Sequence, residues 1–122
     1  MPTILLLYIQ GEVAKVVIYP PNWRAEGRIK KLDMYYVYVL KSEKDSKLYT
    51  GCTKDLNNRL ASHKQGKVPA TRSRRPLKLI YFEAYLTLTE AFAKERFYKS
   101  GTGREVLKKI LFITLKDFNM AR

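Results

Sequence analysis

The sequence predicts an α+β fold: a small three-stranded antiparallel sheet flanked by about three helices. Three observations lead there. Runs rich in β-branched and aromatic residues occur at positions 35–40 (YYVYVL), 48–53 (LYTGCT) and 77–85 (LKLIYFEAY), a composition that suits a pleated, half-buried surface. The first two runs are separated only by a short polar stretch, so they read as a hairpin. After residue 53, after residue 87 and after residue 101, a Ser, Thr or Asp is followed by apolar residues at helical spacing, the pattern of a capped helix.

In chain order, residues 4–9 are apolar but far short of the ~20 residues that a membrane span needs. No basic segment precedes them, and no small-residue cleavage site follows, so a signal peptide is not expected. Residues 13–19 suggest a second strand and a hairpin around Gln10-Gly11-Glu12. Pro20-Pro21-Asn22 breaks regular structure, and residues 24–33 are polar and linker-like. The 35–40 strand follows. Asp45-Ser46 marks its turn, and Gly51 marks a place in the returning strand where backbone must approach something closely. Thr53 or Asp55 caps the next helix. Leu56, Leu60 and His63 share one side of it, and Arg59 and His63, four apart, lie on one face.

Residues 64–76 (KQGKVPATRSRRP) form a loop by their Gly, Pro and Ser. Lys64, Lys67, Arg72, Arg74 and Arg75 alternate there with small hydroxyls. Arg forks match phosphate oxygens bidentately, so the loop is a candidate clamp on a nucleic-acid backbone, against the simpler reading of a solvated surface loop. The 77–85 run contains a continuous apolar stretch that fits a central strand covered on both faces. Thr87 or Thr89 caps a helix from about residue 90 to 100. Glu95 sits at the edge of its apolar face, where an acid needs a partner. That partner is either a cation or Lys99 at i+4. Gly101-Thr102-Gly103 ends this helix, and a last one runs from 104 to about 111.

Charge narrows the function. The 122 residues hold 24 Lys and Arg against 11 Asp and Glu, a formal +13. Residues 34–122 hold 19 of those bases and 8 of the acids, so the basic excess belongs to the strand-and-helix part. Such a field favours polyanions, above all nucleic acid. The single cysteine, Cys52, rules out an internal disulfide and fits a reducing, cytoplasmic setting.

The stretch around Tyr38, Tyr49, Arg59 and His63 carries a resemblance. Val37-Tyr38-Val39 and Tyr49-Thr50-Gly51, with ten residues between the tyrosines, resemble the two motifs of the GIY-YIG nuclease superfamily, in particular small members related to the N-terminal nuclease domain of the excinuclease UvrC subunit. Arg59, His63 and Glu95 match the family's helix Arg, the His one turn on and the acidic metal ligand. Val37 stands where the motif has Gly, Thr50 where it has Ile, and Cys52 where some relatives place Lys or Gln.

The resemblance implies a divalent-metal-dependent endonuclease using Mg²⁺ or Mn²⁺. Tyr38, Tyr49, Arg59, His63 and Glu95 would be catalytic, with Glu95 on the metal, and Gly51, Lys64, Lys67, Arg72, Arg74, Arg75 and Lys99 would lie against nucleic acid. DNA, structured or branched, is the expected substrate, in repair or recombination, with RNA an open alternative and no membrane partner. A non-catalytic nucleic-acid-binding module on the same fold is the competing class. The division implied is an extension over residues 1–33, a nuclease domain over 34–111 and a tail over 112–122. Small family members begin with Met before an aromatic strand, so Met34 is an alternative natural start.

Overall fold

The computed structural model describes the strand backbones Thr3–Ile9 and Glu12–Ile18 and residues 34–112, 115 and 116. The expectations for the turn at Gln10-Gly11, the break at Pro20-Pro21 and the linker over 24–33 lie outside the described residues, as does most of the tail.

Three antiparallel strands form the heart of the sheet, as predicted: β3 (Tyr35–Ser42), β4 (Leu48–Thr53) and β5 (Leu77–Tyr85). β3 is central, with β4 on one side and β5 on the other. The apolar run of 77–85 is explained by a second neighbour. β1 (Thr3–Ile9) and β2 (Glu12–Ile18) form an antiparallel hairpin, and β2 pairs in parallel with β5. The sheet order is β1-β2-β5-β3-β4. β5 is therefore an interior strand, and β4 is an edge.

The helices cover both faces. α1 (Leu56–Lys64) is capped by Asp55, which accepts from the Asn58 amide at 3.0 Å. It buries Leu56 and Leu60 with Tyr38, Leu40, Leu79, Phe82 and Ala84. α3 (Leu88–Lys99) and α4 (Gly101–Ile110) cover the opposite face, where Val37, Val39, Tyr81, Ala91, Tyr98, Leu107 and Leu111 pack together. Each such apolar side chain contributes about 1.5–3 kcal/mol by leaving water. Ala91 and Tyr98 are the buried residues of α3. Phe92 is 48% exposed and Phe97 37%, so the apolar face of α3 is narrower than its composition suggests. Thr87 caps α3, its Oγ1 accepting from the Glu90 amide at 3.3 Å and donating to Glu90 Oε1 at 2.6 Å.

Two local expectations are corrected. Gly101-Thr102-Gly103 opens α4 and does not merely end α3. Ser100 is the cap, its Oγ accepting from the Gly103 amide at 3.1 Å. A side chain at Gly103 would fall 1.6 Å from the Phe97 carbonyl oxygen, so the glycine lets the two helices meet at a tight corner. The 64–76 segment is also less loop-like than its composition implies. It contains a one-turn helix, α2 (Pro69–Arg72), with Pro69 at the first position, where a missing N–H costs nothing.

A buried polar cluster fixes α3 to the sheet. Glu83, 1% exposed, accepts from three tyrosines. Tyr81 Oη donates to its Oε2 at 2.5 Å, Tyr98 Oη to the same oxygen, and Tyr85 Oη to Oε1. Burial, and then the adjacent carboxylate, push the Tyr81 phenol far up. Alternation along β5 places residues 81, 83 and 85 on one face, and Tyr98 reaches them from α3.

Candidate active site at the edge strand

The register of the hairpin builds the centre of the site. Tyr38 lies directly across from Gly51. A Cβ on Gly51 would sit 2.4 Å from the Tyr38 hydroxyl oxygen. The missing side chain is thus what allows the phenol to lie flat over β4. The close approach expected at Gly51 is to this ring.

α1 then supplies two groups from above. His63 Nε2 is 2.8 Å from Tyr38 Oη, and Arg59 Nε donates to the same oxygen at 3.3 Å. The far side of the imidazole is held as well: His63 Nδ1 is 2.7 Å from Thr71 Oγ1 in α2. Tyr38 and Thr71 are wholly buried and His63 is 2% exposed. Tyr49, half-buried, completes an aromatic cluster, its ring centroid 5.3 Å from that of His63 and 6.4 Å from that of Tyr38.

α3 contributes from the other face of the sheet, around the β4 edge. Lys99 Nζ lies 5.7 Å from the Tyr49 ring centroid and 3.4 Å from Glu95 Oε2. Burial, and then the Glu95 charge, raise the proton affinity of Cys52, and burial with a smaller Glu95 contribution raises that of Tyr38. The five residues singled out from the motifs therefore converge on one rim: Tyr38 and Tyr49 on the sheet, Arg59 and His63 above, and Glu95 below, with Lys99 beside it.

Burial sets the protonation states. It pushes the Tyr38 phenol up to about 12, partly offset by the Arg59 hydrogen bond. The same hydrogen bond raises the proton affinity of Arg59 further. Burial, and then the Arg59 charge, push His63 down to about 4, so the imidazole is neutral at pH 7. This has a testable sign. In the unfolded chain His63 takes up its proton near pH 6.5, while in the folded protein it resists until about pH 4. Between those values the unfolded state binds more protons, so stability falls as pH drops through that window and is unaffected by this group above it. Urea midpoints from pH 7.5 to 4 should fall more steeply for the wild type than for His63→Gln. Parallel slopes would refute the assignment.

The arginines of the basic segment also bond to the protein itself. Arg74 Nε donates to Asp45 Oδ2 at 2.9 Å, tying the segment to the β3–β4 turn. That contact, and then the Lys47 amide, hold the Asp45 carboxyl down at about 2. Arg72 Nε donates to the Gly66 carbonyl at 2.9 Å, and Arg75 donates to the carbonyls of Arg72 and Lys64 at 3.0 and 3.3 Å. These guanidiniums close the segment on itself, because a short turn leaves carbonyls that need donors. Lys64 and Lys67 stay exposed, as do the outer sides of Arg72 and Arg75. A cleft of about 940 Å³ runs beneath them, lined by Leu60, His63, Lys64, Arg72, Arg75 and Leu79 among others. It lies behind His63 and includes neither Tyr49 nor Glu95.

Sequence reasoning missed Thr71 as a site residue and overlooked Glu83. The spacing Tyr81-x-Glu83-x-Tyr85 could have revealed the second; nothing local reveals the first.

Glu95 is a single hard oxygen donor, its side chain 18% exposed, and no group of three His, Cys, Asp or Glu occurs among the described residues. Zinc wants several nitrogen or sulfur ligands. Mg²⁺ keeps most of its waters and takes one or two carboxylates, which suits this donor.

The family model for the GIY-YIG catalytic domain matches residues 34–109. A UPF0213 protein of Staphylococcus epidermidis is 41% identical over 80 residues, covering 65% of this chain and 96% of its own. One from Clostridium perfringens is 40% identical over 87 residues, covering 70% and 92%. One from Bacillus pumilus is 44% identical over 80 residues, covering 65% and 78%. No solved structure matches the chain.

Proposed function

Because this chain belongs to the GIY-YIG nuclease superfamily, we propose that it is a divalent-metal-dependent endonuclease that hydrolyses phosphodiester bonds in DNA. The observation that carries this reading is the hydrogen-bonded chain of Arg59, Tyr38 and His63, laid over Gly51 within reach of the Glu95 charge. A buried phenol needs one hydrogen-bond partner; Tyr38 has two, a fixed cation and an imidazole. Hydrolysis does need a proton acceptor, a fixed positive charge and a metal ligand near one another.

Each residue has a role in this scheme. Glu95 would hold Mg²⁺ or Mn²⁺, which when bound polarises the scissile phosphate. Arg59 offers a permanent charge to the phosphate oxygens. It also covers Tyr38, so a phosphate that draws the guanidinium outward uncovers the phenol. Tyr38 then orients or deprotonates the attacking water, with neutral His63 behind it as acceptor. Tyr49, half-buried, lies nearer solvent, where it can orient the water or the strand. Lys99, released from Glu95, is placed to meet the backbone. Lys64, Lys67, Arg72 and Arg75 extend the basic track. Such contacts give affinity without sequence preference, in line with a structured or branched substrate in repair or recombination. No helix among the described residues is long and apolar enough to cross a membrane, and a cytoplasmic setting fits the single thiol.

One observation favours the second reading, a non-catalytic binding module: Glu95 already has a partner in Lys99. Nicking of supercoiled and branched DNA with Mg²⁺ or Mn²⁺, wild type against Glu95→Ala, separates the two. The expected result is cleavage abolished in the variant with DNA binding kept. A wild type that binds with strong salt dependence yet cuts nothing establishes the module instead.

A further inference from the structure

We propose that Thr71 is a positioning residue that fixes the tautomer of His63, keeping the proton on Nδ1 so that the Nε2 lone pair accepts the hydrogen bond from the Tyr38 hydroxyl. The consequence for cleavage rests on the nuclease reading; the tautomer itself does not.

The argument starts from a conflict between two hydroxyls. Tyr38 and Thr71 both have zero exposure, so neither hydroxyl can use bulk water. Each lies within hydrogen-bond distance of a different nitrogen of one imidazole, at 2.8 and 2.7 Å. A neutral imidazole has one lone pair and one N–H. One hydroxyl must therefore donate to the ring while the other accepts from it.

Acidity decides which. A phenol is a far stronger acid than an aliphatic alcohol, hence the better donor, and the alcohol oxygen is the better acceptor. Arg59 sharpens the difference. Its Nε–H already occupies the Tyr38 oxygen, and a hydroxyl that accepts from a cation donates more strongly. The direction is thus set along the whole chain: Arg59 donates to Tyr38, Tyr38 to His63 Nε2, and His63 Nδ1–H to Thr71 Oγ1. With Nδ1–H on Thr71, Nε2 keeps its lone pair on the Tyr38 hydroxyl, and the phenol is held in one orientation. The opposite tautomer would place an N–H against Tyr38 and leave the phenol no acceptor on the ring.

Thr71 lies between Ala70 and Arg72 in the basic segment, where small hydroxyls alternate with arginines. The one-turn helix α2 turns it inward. The residue beside it, Arg72, faces outward.

His63 is the only histidine in the chain, so its ring nitrogens can be read without overlap. The test is two-bond ¹H–¹⁵N correlation on histidine-labelled wild type, Thr71→Val and Thr71→Ser, with cleavage kinetics alongside. Wild type and Thr71→Ser should show Nδ1–H. Thr71→Val, which keeps the shape and removes the acceptor, should shift toward Nε2–H and lower kcat roughly 10- to 100-fold with KM unchanged, the scale seen when a partner that orients a functional histidine is removed. Nε2–H in the wild type overturns the proposal, even if Thr71→Val fails to fold. So does an unchanged tautomer in a folded Thr71→Val. If the wild type cuts nothing but the tautomer moves as stated, Thr71 keeps its role and the nuclease reading falls alone.

Discussion

Glu83→Ala is expected to cost about 3–5 kcal/mol of folding free energy, enough to leave the chain partly unfolded at 37 °C given that domains hold only about 5–15 kcal/mol in total. The three tyrosine hydroxyls that donate to this carboxylate would each lose their acceptor inside the core. An orphaned buried hydroxyl costs about 1–3 kcal/mol, and the vacated side chain adds a cavity cost. Glu83→Gln should be milder, near 1–2 kcal/mol, since its carbonyl oxygen still accepts while its NH₂ meets hydroxyls that can turn to receive it. Guanidinium unfolding followed by circular dichroism measures both. A Glu83→Ala loss under 1 kcal/mol would mean that the cluster does not hold α3 to the sheet.

Tyr38→Phe should remove most cleavage with little effect on DNA binding. Loss of a general acid or base typically costs 10²–10⁴-fold, and the whole effect should appear in kcat. Removing the hydroxyl leaves His63 Nε2 and Arg59 Nε without their shared partner, so a stability loss of about 1–3 kcal/mol accompanies it. Assays at 20 °C, with folding checked by circular dichroism, keep the two effects apart. Tyr49→Phe provides the contrast. Its ring contacts survive the change, so a smaller loss is expected. If Tyr49→Phe proved the more damaging, the half-buried tyrosine, and not the buried one, would be the group that handles the water.

The sequence shows most clearly where a local pattern and a tertiary requirement coincide. The strands at 35–42, 48–53 and 77–85 are legible because β-branched and aromatic runs have few other uses. Leu56, Leu60 and His63 are legible because helical spacing and burial agree. The Tyr38–Gly51 pair follows once the hairpin register is known, since only glycine admits the ring. Other features depend on what lies across space. Thr71 carries no local sign of burial; only His63 docking on α2 reveals it. The arginines of 72–75 read as phosphate ligands by composition; that they also close turns and bridge to Asp45 is visible only in the fold. Ser100 and the two glycines read as a stop because a helix corner and a helix end have the same composition; the Gly103 contact with Phe97 decides between them. The parallel pairing of β2 with β5 joins segments more than sixty residues apart, beyond any local pattern.

The candidate site draws on both faces of the sheet: α1 and α2 on one, α3 on the other, joined across an edge strand. No single hairpin or helix pair contains it. Fragments of this chain should therefore carry no residual chemistry, and a partly open form that releases either helix layer would be as inactive as the denatured chain. Its function is tied to the cooperativity of the whole fold, so local fraying that a pocket on one face would survive is not tolerated here.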